Sequence, residues 1–473
     1  MKRFKKVFIL LGVIAVVCVA TVIVTHIEEK KEQIQNTDEV IISVDPDSVT
    51  SLAWEYESTS LSYSRNDVWQ WDEDAAFPVN EEKINDLLGI FEDFGAAFII
   101  EDVEDFGQYG LDKPTCTIRF TAEDNNYEVV LGAYSTMDSQ RYVSIGDGNV
   151  YLVKTDPFDS YEIELSDTIL HDETPSFDHV TRLTFSGNEN YTVRYDEEST
   201  ATYCASDRYY TDEDGEVLPL DTYRVEDYYS NISFLNLENY VSYNASAGDL
   251  AKWGLGTPAQ SVTIDYETED DEKTESGSFT IHFGQNQEEL ARKLKDEANG
   301  EESEQVVTCY ARVGDSPIVY QISESDYNTL TAVAYNELRH NEVLTAAFTD
   351  VTQIDIVLDG KDYTITSAIQ EAAEEEEPER VYSYNGEEIT VTNLQSKLSA
   401  LTANSFTSDL PEDKEEISLI FHLENENYPQ VKVELYRCDG TNCLAVVDGE
   451  TLGLVSRSSV VDLIEAVNSI ILG

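Results

Sequence analysis

The sequence predicts an α+β protein: three tandem repeats of a mainly antiparallel sheet with packed helices, following one N-terminal transmembrane helix. Three observations lead there. Tyr109-Gly110-Leu111-Asp112-Lys113-Pro114 and Trp253-Gly254-Leu255-Gly256-Thr257-Pro258 share the pattern aromatic-Gly-Leu-x-x-Pro, and each runs into strand-like alternation, Cys116 to Phe120 and Ser261 to Tyr266. With these two superimposed, an order of strands, helix, corner, four strands and helix recurs, and a third copy appears towards the C-terminus. The apolar tracts are short and joined by tight turns, which favours antiparallel pairing. The 28 tyrosines, with Thr and Val, add sheet propensity.

The corner has a physical rationale. Glycine adopts the positive φ that other residues avoid. Proline fixes its own φ and drives the residue before it towards extended backbone. Gly-Leu-x-x-Pro therefore turns the chain and delivers it into a strand, with Tyr109 or Trp253 and Leu111 or Leu255 pinning the turn to the core. Gly254 to Ala259 also fits the dinucleotide pattern G-x-G-x-x-A. That motif must follow a strand and open a helix, whereas here a strand follows and Pro258 falls inside.

In chain order, residues 1–6 form a basic tail containing Lys2, Arg3, Lys5 and Lys6. An uncharged apolar run, Val7 to Thr25, follows and is long enough to cross a bilayer, which takes roughly 17–25 residues. Positive charge before the run and acidic residues after it predict a cytoplasmic N-terminus and an exported body. The run exceeds the core of a typical cleaved signal peptide, about 7–15 residues, so a signal-anchor is expected, with residues 26–39 as a polar stalk.

Repeat 1 covers 40–174. Strands are expected at Ile41 to Val44, Leu52 to Tyr56, Leu61 to Tyr63 and Val68 to Trp71. Pro78 and Asn80 open a helix bearing Ile84, Leu87, Leu88 and Phe91. Phe98 to Ile100 leads to the corner, four strands follow, and a short helix closes the unit near residues 156–169. Repeat 2 covers 175–343. Here Arg208-Tyr209-Tyr210 replaces the Trp69-x-Trp71 pair, Pro219 starts the helix, residues 288–304 form a polar insertion, and one helix from Tyr327 to Leu338 closes the unit. Repeat 3 covers 344–473. Asp359-Gly360 marks a hairpin, Ile389, Leu394, Leu398 and Leu401 lie on the helix, Asp409-Leu410-Pro411 is a decayed corner, Ser458 caps the last helix, and residues 374–377 are an exposed acidic run.

The net charge of −64 opposes nucleic acid and anionic lipid as partners, and attracts cations or basic partners. Cys18 lies in the apolar run, and Cys116, Cys204 and Cys309 stand singly as small buried residues. Cys438 and Cys443 flank an Asp-Gly turn. They form either a small-loop disulfide or two free thiols, with a redox or metal role as a third alternative.

Trp69-x-Trp71, the Pro78 helix, Tyr109-Gly110-Leu111-x-x-Pro114, the hairpin from Tyr142 to Val153, and the repeated Trp253-Gly254-Leu255-x-x-Pro258 resemble the bacterial domain-of-unknown-function family 4340. The resemblance covers most of residues 40–340 and, more weakly, the remainder. It implies a membrane-anchored, extracytoplasmic protein, and in some relatives an association with ABC export systems linked to gliding motility. It brings no catalytic residues.

Chemistry-bearing motifs are sparse. Asp212-x-Asp214-Gly215 fits part of a calcium loop, but in that register the first ligand falls at Tyr210. The six histidines form no H-E-x-x-H and share no helix face at metal spacing. There is no G-x-S-x-G elbow and no phosphate loop. Trp69, Trp71, Trp253, Tyr209, Tyr210, Tyr382 and Tyr384 suit either an aromatic ligand surface or packing, and their matched positions favour packing. No catalytic, cofactor or metal residue is singled out, calcium being the one cofactor considered. The expected function is a non-catalytic binding or assembly module at the cell surface, held by one membrane helix, with membrane-protein or cell-wall partners. The alternatives are an accessory subunit of an export or motility system, or a surface hydrolase using carboxylates or calcium.

Overall fold

A computed structural model describes residues 34–472, except 37, 124, 271–272, 301–304, 371–378 and 413. The predicted tail, the membrane segment Val7 to Thr25, most of the stalk, and the acidic run 374–377 lie outside these residues. Among the described residues, no helix is long and apolar enough to cross a membrane. The chain divides into two compact units, Met1–His171 and Asp172–Gly473.

The first unit holds one sheet. Its strands are β1 (Ile34–Asn36), β2 (Val40–Ile42), β3 (Val49–Tyr56), β4 (Thr59–Arg65), β5 (Trp69–Trp71), β6 (Phe94–Ile100), β7 (Cys116–Ala122), β8 (Asn125–Ser135), β9 (Gln140–Ser144) and β10 (Val150–Val153). They lie in the order β5-β4-β3-β7-β8-β9-β10-β6-β1, with β2 also paired to β6. Ile34–Asn36, expected in the stalk, instead pairs with Phe98, Ile99 and Ile100, because β6 offers a free edge there.

The second unit holds two sheets. One comprises β11 (His179–Gly187), β12 (Tyr191–Tyr195), β13 (Tyr209–Glu213), β14 (Glu216–Leu220), β15 (Tyr240–Ser242), β16 (Gln260–Asp270), β17 (Lys273–Gln285), β18 (Cys309–Val313) and β19 (Val319–Ile322). Its order is β14-β13-β12-β11-β16-β17-β18-β19-β15. The other comprises β20 (Val351–Leu358), β21 (Lys361–Gln370), β22 (Glu379–Tyr384), β23 (Glu387–Ile389), β24 (Ala403–Phe406), β25 (Glu415–Leu423), β26 (Gln430–Arg437), β27 (Asn442–Val447) and β28 (Glu450–Ser456), ordered β23-β22-β21-β20-β25-β26-β27-β28-β24.

The three sheets follow one plan. A meander (β3 to β5, β11 to β14, β20 to β23) forms one flank. The strand after the helix (β6, β15, β24) crosses to the far side, and the last four strands fill the middle. The ladders are antiparallel, and with the packed helices they make the protein α+β.

Helices cover the apolar faces. In the first unit, α1 (Glu81–Gly89) starts where the Asn80 side chain accepts from Lys83 N at 3.0 Å, and it buries Ile84, Leu87 and Leu88. The short α2 (Phe158–Tyr161) buries Tyr161, whose hydroxyl donates to Leu87 O at 2.9 Å. In the second unit, α3 (Thr222–Ser233) buries Val225, Tyr228 and Ile232, and the Tyr228 ring lies 5.5 Å from Phe185 of β11. The remaining helices are α4 (Ala247–Lys252), α5 (Gln287–Ala298), α6 (Glu324–Thr331), α7 (Tyr335–Leu338), α8 (Thr392–Ser399) and α9 (Arg457–Ile471). α9 buries Val460, Leu463 and Val467 and packs on α8.

Four local expectations are corrected. Pro219 does not start a helix. It sits on β14 at the sheet edge, where a missing N–H is tolerated, and α3 begins after the Asp221 cap. The closing helix from Tyr327 to Leu338 is two helices, because Val333 turns into the core and its carbonyl accepts from the Tyr191 hydroxyl at 2.6 Å. Ile389 belongs to β23, and the N-cap of α9 is Ser456, with Ser458 inside the first turn.

The two corners are built alike. A helical turn ends at Tyr109 or at Trp253, and Gly110 and Gly254 follow with φ of 74° and 71°. Leu111 N donates to Phe106 O, and Leu255 N to Leu250 O. Each corner lies against a glycine of the adjoining strand, Gly132 on β8 and Gly284 on β17, where a Cβ would collide with the carbonyl of Tyr109 or Trp253. The aromatic rings pack on tyrosines of the next strand: Tyr109 on Tyr142 at 4.9 Å and Trp253 on Tyr310 at 5.5 Å. Leu255 is buried, Leu111 is partly buried, Pro114 is exposed, and Pro258 is partly buried. In the third sheet, Leu410 is exposed and no such corner forms.

Candidate functional site

The described residues concentrate ionisable groups most tightly in the second unit, where its two sheets meet. Loop 196–208, between β12 and β13, crosses towards the third sheet. Tyr203 packs on that sheet's core and stacks edge-on with Tyr428 at 5.7 Å. The linker from α7 arrives from the other side. Val343 N donates to Leu401 O and Ala403 N to Asn341 O, which fixes His340 at the point of entry. Arg339 holds its guanidinium 5.1 Å from both the Tyr335 and Phe406 rings.

Local bonds preset the loop. Cys204 N donates to Thr202 Oγ1, the Thr202 hydroxyl donates to Asp207 Oδ2 at 2.7 Å, and Arg208 donates to the carbonyls of Ala205 and Asp207. Asp207 is only 2% exposed, yet its Oδ1 lies 2.7 Å from His340 Nε2. On the other side of the ring, Nδ1 is 3.4 Å from Glu342 Oε2 and 3.8 Å from Asp221 Oδ2. The Nδ1 to Oε2 approach is close enough for an ion pair but is not aligned as a hydrogen bond. Asp221 caps α3 through Tyr223 N and also meets Arg224 at 3.3 Å.

The electrostatics follow from this geometry. Burial opposes charge on the imidazole, but Asp207, Cys204 and Glu342 overcome it and raise the His340 pKa to about 12. The imidazolium in turn holds Glu342 down to about 2, against the burial that would raise it. The surrounding carboxylates thus favour the imidazolium over the neutral ring. Two triads are compact enough to hold a metal ion: Cys204, Asp207 and His340, and Asp221, His340 and Glu342, each with donor atoms within 4.8 Å of one another. A cavity of about 230 Å³ opens beside them, lined by Tyr203, Asp207, Pro219, His340, Glu342 and Tyr428 among others.

The sequence marks none of these residues as a site: Cys204 reads as a lone small buried residue, which it is, and it lies far from His340 in the chain with no motif joining them. The residues that were singled out lie elsewhere. Trp69 is 3% exposed on β5 with Arg65 over its ring, and Trp71 packs on Phe77 at 5.4 Å. Tyr209, Tyr210 and Tyr382 are buried. The calcium-like stretch is a tight β13–β14 turn with Asp214 and Gly215 at positive φ, and Arg194 pairs with Asp212. Cys438 is an exposed free thiol at the turn before β27, whereas Cys443 is a free thiol in the third core, where burial raises its pKa to about 11.

A family model described as a domain of unknown function (DUF4340) matches the chain twice, over residues 69–241 and 211–419. Both matches begin in the corresponding strand of their sheets, β5 and β13. No curated protein and no solved structure matches the chain.

Proposed function

The chain belongs to the DUF4340 family, and from that premise we propose a membrane-anchored, extracytoplasmic binding or assembly module made of three copies of one α+β unit. The copies correspond to residues 40–174, 175–343 and 344–473, tethered by the apolar run at 7–25. One observation carries the proposal: three sheets repeat a single strand order. Repeated units multiply the surface that a partner can meet. The acidic excess, −64 overall, selects partners that carry basic patches. A membrane protein of an export system is the partner class that the family resemblance favours.

The test uses the full chain in its native membrane. Protease added outside intact cells is expected to digest the body. After mild detergent extraction, light scattering is expected to show a complex larger than one chain at low salt. It should shrink in about 1 M salt, where the Debye length falls to about 3 Å. A protected body overturns the topology. A mass of one chain at both salt concentrations overturns the assembly role.

A further inference from the structure

The geometry assigns Cys204 Sγ, Asp207 Oδ1 and His340 Nε2 as three ligands of a zinc-type divalent ion, with the fourth position open to the adjoining cavity. This goes beyond the assembly reading and stands without it.

The donor set is chemically selective. A thiolate and an imidazole suit zinc and its first-row neighbours, whereas calcium and magnesium take oxygen. The spacing is close to what the ion requires. With bonds of about 2.0–2.3 Å, a tetrahedral zinc ion separates its ligand atoms by roughly 3.3–3.7 Å. One donor atom from each of Cys204, Asp207 and His340 lies within 4.8 Å of the other two. The Nε2 to Oδ1 contact, now 2.7 Å, must open by roughly 0.6 Å or more to admit the ion. Relaxation on this scale is small, because His340 enters on a linker and the ion replaces the proton that now bridges the pair.

The surroundings are those of a metal site. Thr202 fixes Asp207 through the carboxylate oxygen that does not face the histidine. Glu342 and Asp221 face His340 Nδ1, the nitrogen that a zinc-bound histidine turns to a carboxylate or carbonyl. Glu342 is thus a positioning residue. The carboxylates that face His340 also favour a dication, which takes the side chains as a neutral imidazole and a thiolate. The cavity of about 230 Å³ leaves room for water or a small ligand at the fourth position.

The experiment titrates chelator-treated full chain with Co²⁺ and Zn²⁺ in about 0.5 M salt, which screens the diffuse acidic surface. One tightly bound equivalent is expected, with a thiolate-to-cobalt charge-transfer band. That band should vanish in Cys204→Ser and persist in Cys443→Ser. Glu342→Gln should weaken binding about 10- to 100-fold while leaving the band in place at saturation. Should Cys204→Ser not fold, X-ray absorption of the zinc-loaded wild-type protein still decides: one sulfur at about 2.3 Å is expected in the first shell. An oxygen-only shell, two sulfurs, or a band indifferent to Cys204→Ser overturns the assignment.

Discussion

Gly284→Ala tests the corner that both units share. An ideal Cβ at Gly284 lies 2.5 Å from Trp253 O, 2.8 Å from Gly254 C and 2.9 Å from Gly254 O. Ordinary carbon–oxygen contact needs roughly 3.3 Å or more, so β17 and the corner must part by about 0.8 Å. The obstructing atoms are backbone, and Gly254 cannot swing away because its φ of 71° is fixed by the turn. Trp253 and Leu255 would be drawn off Tyr310 and Val319, with which they form one small cluster. Overpacking in such places costs about 1–3 kcal/mol, and a rigid backbone obstruction belongs at the upper end.

With a urea m-value of about 3 kcal/mol/M for a large unit, the unfolding midpoint should fall by about 1 M. The assay is urea unfolding of the full chain followed by far-ultraviolet circular dichroism. Two companions grade the effect. At Gly256 the nearest atom to a Cβ is Ala251 Cα at 3.3 Å, so Gly256→Ala should cost less than half as much. At Gly440 nothing lies within 4 Å, so Gly440→Ala should be near neutral. An unshifted midpoint for Gly284→Ala, or an equal loss for Gly440→Ala, refutes the claim that close backbone approach makes the corner.

Asn80→Ala removes the side-chain acceptor for Lys83 N at the start of α1, and should cost about 0.5–2 kcal/mol by thermal or urea unfolding. Tyr161→Phe leaves Leu87 O without its buried donor and should cost about 1 kcal/mol in the same assay. Burial opposes charge on Asp355, but hydrogen bonds from His422, Thr364 and Gln353 outweigh it and hold the carboxyl below 3.8. The resulting stability is present above about pH 4 and lost as pH falls, so Asp355→Asn should be less stable than wild type at pH 6, with the gap closing towards pH 2 in urea titrations. Maleimide labelling read by peptide mass should modify Cys438 in the native chain and Cys443 only after unfolding, whereas protection of both until reduction would show a disulfide.

Much of the fold was legible because the deciding signals are local. Alternation marked β7, β12, β20 and β25, helical spacing marked α1 and α9, and the Gly-Leu corner marked where the middle strands begin. The errors fell where tertiary context outweighs local preference. Pro219 reads as a helix start but is tolerated on an edge strand. Ile34–Asn36 reads as spacer until an open edge on β6 is known. Val333 breaks a helix for a hydrogen bond from Tyr191, far away in the chain. The His340 cluster was not legible at all, since Cys204, Asp207 and Glu342 approach it only after two sheets have formed.

That cluster also lies where one sheet departs from another. The turn between β4 and β5 spans only residues 66–68, whereas its counterpart between β12 and β13 runs over 196–208 and carries Thr202, Tyr203, Cys204 and Asp207. A scaffold under packing constraint tolerates added length mainly in its connections, and chemistry accumulates there because a loop places polar groups without disturbing a core. Here the extra residues are not slack: side-chain hydrogen bonds from Thr202 and Arg208 hold the loop, Arg208 N donates to Thr222 Oγ1 of α3, and Tyr203 anchors the loop to the next core. Ordering a loop this length costs conformational entropy, which these contacts offset. Shortening 196–208 to the length of 66–68 should therefore leave the second sheet's ladders intact while abolishing metal binding. If that chain still bound cobalt through sulfur, the elaborated loop would not be the source of the site.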